Sequence, residues 1–167
     1  DALRGYSYAL TATSPCVGSG QGGSTMGAEQ GTCEQAGAPA RIVRVAAGVY
    51  EAGFFNATHF VSVRGAGKGE TVLRGMLAGL RTGSTVSDLT VSGSTEAGIL
   101  VVGWESPVIQ DCSVEGNRGF GVVCQGDCTP QLTQCTLTGN LSGGLHCEVG
   151  AKPSMVDCSI AGNFGRG

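Results

Sequence analysis

Cysteines carry most of the potential chemistry of this sequence. The chain of 167 residues contains eight of them, and an even number of cysteines suits disulfide formation in an oxidising, extracytoplasmic compartment. Cys112, Cys135 and Cys158 follow one another at intervals of 23 residues, and the same interval separates Cys124 from Cys147. If that interval is a structural repeat, each series forms a ladder of stacked thiols. Neighbours in such a ladder are either bridged or act as small buried hydrophobic side chains.

Other cysteines are candidates for single disulfides. Cys16 and Cys33 lie in a segment rich in Gly and Ser and are predicted to form one bridge. Cys128 is predicted to lie in a turn and to pair with Cys124 or with a cysteine of an adjacent coil. The spacing of Cys124 and Cys128 also suits zinc, but no second Cys or His pair follows at the distance found in zinc fingers. No metal is therefore predicted.

Two aspartates are candidates for acid and base chemistry or for cation binding. Asp88 and Asp111 are also 23 residues apart, and two adjacent carboxylates can hold calcium or share a proton. The same column continues with Gln134 and Asp157. Short polar side chains of this kind satisfy backbone groups at turns, so the interpretation that we favour is a polar bend rather than a catalytic pair.

The 23-residue interval extends through the C-terminal half of the chain. Three full units cover 90–112, 113–135 and 136–158, and a partial unit covers 159–167. Glycine occupies the fourth and ninth positions of each unit, and every full unit ends in cysteine. Apolar residues two positions apart share one face of a strand, whereas Gly-Asn and Gly-x-Gly steps are typical of positive-φ corners. Each unit is therefore predicted to form one coil of about three short strands.

A single coil of this kind cannot bury its own apolar face. Successive coils must stack, with equivalent strands pairing in parallel about 4.8 Å apart. A helical solenoid is the structural alternative, but the chain contains 30 glycines, and units with several glycines and a proline make poor helices. The sequence predicts an all-β parallel solenoid.

Residues 106–117, together with their copies one and two units later, resemble the repeats of the pectate-lyase-like superfamily of parallel β-helix proteins. Residues 42–50 and 61–67 are similar to the first coils of those proteins, so the resemblance covers about residues 41–167. It implies a right-handed, single-stranded parallel β-helix. The superfamily includes lyases, hydrolases, epimerases, adhesins and non-catalytic repeat proteins, so the resemblance implies a fold rather than one activity.

The chain divides into two regions by composition. Residues 1–40 are predicted to form an N-terminal cap and a Gly- and Ser-rich disulfide loop, and residues 41–167 are predicted to form the β-helix. The last repeat is incomplete, and a solenoid needs its open core covered. We therefore expect further coils or a docked subunit at the C-terminal end. No stretch approaches the roughly 18 apolar residues that a membrane-spanning helix needs.

One column that should face outward is apolar. The eleventh position of each unit reads Leu100, Val123 and His146, and Trp104 lies nearby in the sequence. An outward apolar strip predicts a binding surface. It would be covered either by the N-terminal segment, which is the interpretation that we favour, or by a partner.

Two asparagines match the acceptor pattern for N-linked glycans. Asn56 is followed by Ala-Thr, and Asn140 is followed by Leu-Ser. Both are glycosylation candidates in a secreted protein.

Charge and motif content separate the possible functions. A net charge of −3 with only two lysines argues against a nucleic-acid partner. The missing lyase and hydrolase motifs and the small number of coils favour a non-catalytic extracellular module that presents a surface for adhesion, glycan binding or assembly with a protein. The alternative is a polysaccharide lyase or hydrolase with Asp88 and Asp111 as catalytic candidates. Calcium would then be the expected cofactor of a lyase, and otherwise none is predicted.

Overall fold

The computed structural model describes residues 41–57 and 61–165. This part of the chain contains thirteen β-strands and no helix, and therefore no apolar helix of membrane-spanning length. The predicted cap and loop over residues 1–40, with Cys16 and Cys33, lie outside the described residues. The strands are β1 (Arg41–Arg44), β2 (Gly48–Asn56), β3 (Val61–Arg64), β4 (Thr71–Ala78), β5 (Thr85–Ser92), β6 (Ile99–Val102), β7 (Val108–Glu115), β8 (Phe120–Gln125), β9 (Gln131–Thr133), β10 (Thr136–Thr138), β11 (Gly143–Cys147), β12 (Ser154–Val156) and β13 (Ser159–Ala161).

The strands form three sides of a parallel solenoid, here called sides A, B and C. Side A consists of residues 49–51, 72–74, 90–92, 113–115, 136–138 and 159–161. Side B consists of residues 54–56, 76–78, 99–102, 120–125 and 143–147. Side C consists of residues 41–44, 61–64, 85–87, 108–110, 131–133 and 154–156. The chain passes along side C, then side A, then side B, and returns to side C in the next coil.

Equivalent residues of successive coils pair directly. Val86 pairs with Ile109 and Ile109 pairs with Leu132, each 23 positions further along the chain. The described chain makes about five turns. The prediction of an all-β parallel solenoid with one coil per 23 residues is confirmed.

The core consists of one inward column of aliphatic side chains from each side. Successive side chains of a strand alternate between two faces, so apolar residues two apart reach the core together. Burying such a side chain fully stabilises the fold by about 1.5–3 kcal/mol relative to leaving it exposed. The columns, all at most 1% exposed, are Val86, Ile109 and Leu132 on side C, Val91, Val114 and Leu137 on side A, and Leu77, Ile99 and Val122 on side B.

A column of asparagines runs through the interior where side A turns towards side B. Asn117 and Asn140 are fully buried. Asn117 donates from its backbone N and from Nδ2 to Asn140 Oδ1, at 3.1 and 2.9 Å. Asn140 donates in the same way to Asn163 Oδ1, at 3.0 Å from each nitrogen, and its Nδ2 also donates to the Val114 carbonyl at 3.0 Å. The buried amides therefore satisfy one another and the backbone of the turn, which removes the penalty for burying them.

The two glycine columns of the repeat serve different purposes. Gly116 and Gly139 precede the ladder asparagines and have φ of 62° and 64°, as predicted for a corner. Gly121, in the ninth position, has no positive φ, which corrects the prediction from the Gly-x-Gly step. A Cβ on Gly121 would lie 2.6 Å from the Gly144 carbonyl oxygen and 2.8 Å from Asn140 Nδ2. Glycine is required there because the asparagine column and the next coil approach closely.

Replacing Asn140 with alanine should lower the free energy of unfolding by about 3 kcal/mol or more, because buried partners left unsatisfied cost about 1–3 kcal/mol each. Asn56 is exposed on β2, so Asn56→Ala is a matched control that should change stability by less than about 0.5 kcal/mol. Urea unfolding followed by circular dichroism measures both. Equal effects of the two substitutions would contradict a stabilising role for the ladder.

Candidate functional site

Asp88 and Asp111 lie at the corner where side C passes into side A. Both have positive φ, at 58° and 49°, and so do Gln134 at 55° and Asp157 at 53°. Four residues of one column thus occupy the left-handed region, which residues other than glycine adopt uncommonly and which Asp and Asn tolerate best. This is the placement expected for a polar bend.

Each of the two aspartates faces its own cation. Arg64 Nε lies 3.0 Å from Asp88 Oδ2, and Lys68 Nζ lies 3.8 Å from Asp111 Oδ1. Lys68 also donates to the Gln134 carbonyl at 2.6 Å. The lysine belongs to residues 65–70, a longer connection that replaces the bend in its coil and reaches over the bends of later coils. The sequence pattern missed this contact because Lys68 lies before the regular repeats begin.

The corner offers little to support catalysis or calcium binding. Separate cations hold the two carboxylates apart in function, and such half-exposed ion pairs contribute about 0.2–1 kcal/mol. Over residues 41–57 and 61–165, no three side chains of His, Cys, Asp or Glu come together in a way that could hold a metal ion. The catalytic assignment of Asp88 and Asp111 remains a prediction that no contact of the corner favours.

The column of Cys112, Cys135 and Cys158 lies immediately after that bend. All three are unbridged thiols, and the first two are buried. Their sulfurs donate to carbonyl oxygens two residues earlier in the chain, at 3.2 Å for Cys112 and 3.3 Å for Cys135 and Cys158. Burial raises the pKa of the Cys112 and Cys135 thiols. Of the two alternatives that the sequence left open, the structure has the small buried hydrophobic side chain.

The predicted bridge between Cys124 and Cys128 is not formed in the structure. Both residues are buried thiols, and Cys128 Sγ donates to the Val101 carbonyl at 3.8 Å, which a disulfide sulfur could not do. Burial raises the pKa of both thiols. The sulfur of Cys124 contacts those of Cys128 and Cys147, so three thiols meet at the end of side B. Cys147 is the exposed member of this cysteine trio.

Leu100, Val123 and His146 form an unbroken column on the outward face of side B. Leu100 pairs with Val123, and Val123 pairs with His146. Leu100 is half-buried, Val123 is 9% exposed, and His146 is exposed. We call this column the side B strip.

An aromatic residue that sequence reasoning missed joins the strip. The Phe120 ring stacks on the His146 ring, with centroids 4.6 Å apart and planes 24° apart. Phe120 pairs with Gly143, which has no side chain to compete for that space. The signal in the sequence was a single Phe in a column that holds small residues in the neighbouring coils, Ala97 and Gly143.

Trp104 lies beside the strip and not on it. It follows Gly103, which has φ of 80°, in the turn after side B, and its side chain is 81% exposed. Val102, the last residue of β6, is 44% exposed between the strip and this turn. The apolar surface thus continues from the strip towards the turn. Cover of this surface by the N-terminal segment concerns residues outside those the structure describes.

The two glycosylation candidates have opposite environments. Asn56 is exposed on β2, although Thr58 of its acceptor pattern falls outside the described residues. Asn140 is fully buried in the asparagine ladder, and both atoms of its side-chain amide are hydrogen-bonded. The prediction of a glycan on Asn140 is therefore wrong for the folded chain, because the pattern reports neither burial nor side-chain direction.

Substitutions at Asp111 separate the backbone angle from the carboxylate. Asp111→Asn keeps a side chain that tolerates positive φ and loses only the Lys68 ion pair, so stability should fall by less than about 1 kcal/mol. Asp111→Val should cost about 1–2 kcal/mol more, because a β-branched residue is strained at that angle. Thermal and urea unfolding measure the difference. Equal losses in the two variants would show that the carboxylate, and not the bend, matters.

Alkylation should distinguish the exposed thiol from the buried ones. With iodoacetamide at about pH 8, Cys147 should react first in the folded protein, while Cys112, Cys124, Cys128 and Cys135 should react only on unfolding, because burial keeps them protonated. Mass spectrometry of the alkylated peptides follows each site. The folded state retains these protons and the unfolded state releases them, so stability should also fall as pH rises above about 8.5. Rapid labelling of Cys112 in folded protein would contradict this placement.

Comparison with known proteins agrees with the fold. The family model described as the right-handed β-helix region matches residues 75–167, which is more than half of the chain. No curated protein and no solved structure gives a significant match. The family match confirms the predicted right-handedness and is consistent with the resemblance to pectate-lyase-like proteins, while it carries no particular activity. The chain therefore belongs to the right-handed β-helix family.

Proposed function

We propose that this chain is a non-catalytic, extracytoplasmic β-helix module that binds a protein partner through the side B strip. One observation carries the proposal. The outward column of Leu100, Val123 and His146 is apolar or aromatic in three successive coils, although it faces away from the core. Large apolar patches on outward faces are typical of interaction sites.

The other two sides provide the contrast. The outward positions of side A carry Ser113, Glu115 and Thr136, and Ser113 donates to Glu115 at 2.6 Å. On side C the corresponding outward positions include Gln110 and Gln131, both exposed. Polar outward residues on two sides and apolar ones on the third indicate that side B has a separate role. A coil that only had to be soluble would gain from polar residues on all three sides.

The chemistry of the strip favours a protein over a polysaccharide. The strip carries aliphatic groups and one stacked Phe-His pair, with no carboxylate or lysine within it. Interface cores of proteins are depleted in charge and enriched in aromatic residues. Sugar-binding clefts combine aromatic platforms with many polar groups, and the one Trp of this chain, Trp104, lies at the adjoining turn. The extracytoplasmic location rests on the eight cysteines.

The last described coil offers a second apolar surface. Ile160 belongs to the inward column of side A, since it pairs with Leu137, yet it is 43% exposed. Phe164 is 77% exposed in the same coil. A further coil or a docked subunit would bury both, in keeping with the expectation from the incomplete repeat.

The binding test compares two glutamates introduced on different sides. The immobilised chain is used to isolate a partner from the secreted proteins of its source, and the purified partner is then titrated by calorimetry. Leu100→Glu should raise Kd at least about tenfold, which is about 1.4 kcal/mol. Gln131→Glu, on the outward face of side C, should change it less than about twofold. Equal binding by both variants, or binding to polysaccharides alone, would contradict the proposal.

The enzyme alternative has its own test. The chain is incubated with polygalacturonate and other acidic polysaccharides, with and without calcium, and unsaturated products are followed by ultraviolet absorbance. The proposal expects no product. Product formation that disappears in Asp111→Asn would overturn it in favour of a lyase, because that substitution retains the bend and removes the carboxylate.

A further inference from the structure

We propose that Cys147 and Cys124 form a disulfide-forming site, in which exposed Cys147 reacts first with a small-molecule disulfide and buried Cys124 then closes a bridge between two coils. The inference concerns the cysteine trio at the end of side B and is independent of the function of the strip.

Register places the two cysteines correctly for a bridge. Cys147 of β11 is the direct pairing partner of Cys124 of β8, so the two occupy equivalent positions in adjacent coils. Paired parallel strands lie about 4.8 Å apart, which is within the Cα separation that disulfides span. Both side chains project from the same face of side B, opposite to the face of Val123 and His146.

Exposure assigns the order of events. Cys124 is completely buried, whereas Cys147 lies on the outermost strand of side B and is exposed. A dissolved oxidant therefore reaches Cys147 and cannot reach Cys124 directly. The contact between the two sulfurs supplies the second thiol without movement of the backbone.

The other cysteine column shows what prevents bridging. Cys112, Cys135 and Cys158 are also neighbours in successive coils, but each thiol is directed to a carbonyl oxygen of its own strand, at 3.2 to 3.3 Å. Within the part of the chain that the structure covers, neither Cys124 nor Cys147 donates to a carbonyl oxygen. Their sulfurs are free to face each other.

Cys128 is the third thiol of the trio and remains reduced in this scheme. It is buried, and its Sγ donates to the Val101 carbonyl at 3.8 Å. Bridging Cys128 would remove that hydrogen bond and leave the exposed Cys147 unused. Cys128 therefore provides a matched control at the same place in the fold.

The chemistry is two successive thiol–disulfide exchanges with oxidised glutathione as the oxidant. The Cys147 thiolate attacks one glutathione sulfur, forms a mixed disulfide and releases a glutathione thiolate. The Cys124 thiolate then attacks Cys147 Sγ, forms the Cys124–Cys147 bond and releases the second glutathione. Two protein thiols are oxidised, one glutathione disulfide is reduced to two thiols, and the two protons pass to solvent and the released thiolates.

The experiment treats the purified full chain with oxidised glutathione, blocks remaining thiols, and digests with trypsin and a protease that cleaves before aspartate. These enzymes place Cys124 alone in peptide 119–126 and the cysteines 128, 135 and 147 together in peptide 127–156. The expected product is the disulfide-linked pair of these peptides. The oxidised protein should also show a higher Tm than the reduced protein, because the bridge closes a loop between coils.

Variants assign the linkage to specific cysteines. The linked pair should persist in Cys128→Ser and Cys135→Ser and disappear in Cys147→Ser. In Cys124→Ser, or Cys124→Ala if the serine variant does not fold, glutathione should remain attached to Cys147. Persistence of the linked pair in Cys147→Ser would overturn the proposal. A lasting glutathione adduct on Cys147 of the unmodified chain, or no reaction at all, would overturn it equally.

Discussion

In-register stacking of coils is the constraint on which the rest of this structure depends. One coil of 23 residues has a single inward side chain layer and cannot exclude water from it, so each coil is stable only against its neighbours. The pairing of Val86 with Ile109 and of Ile109 with Leu132 shows the result, in which like residues meet like residues along the axis. The repeat in the sequence is the direct record of this requirement.

Stacking also explains why polar residues are tolerated inside and strained residues at the corners. An amide such as Asn140 can be buried because its partners lie in the coils on either side, and a bend such as that at Asp111 recurs because neighbouring bends must follow the same path. The coil thus uses its inward and corner positions to build itself. Variation in chemistry is left to the outward positions, where side B differs from the other two sides.

Periodicity made the coil, its three sides and its inward columns predictable, because alternation along a strand and repetition between strands both leave marks in the sequence. It could not predict which way Asn140 turns, since a Gly-Asn step is equally common in exposed corners. The thiol state of Cys124 depends on which neighbour its sulfur faces, and the contact of Lys68 with the corner arises from an irregular connection. Phe120 was overlooked because a column of small residues suggests no contact. The misses concern side-chain direction, which the repeat does not encode.

The asparagine column has a consequence for how such a protein changes over generations. Each amide is connected to the coil before and the coil after, so loss or gain of one residue between Asn117 and Asn140 would break the connection and turn inward side chains outward. Extra residues are accommodated at a corner instead, as in the connection over 65–70. Heritable changes in length should therefore come as whole duplicated or deleted coils, which makes the 23-residue segment, and not the single residue, the unit in which this architecture grows.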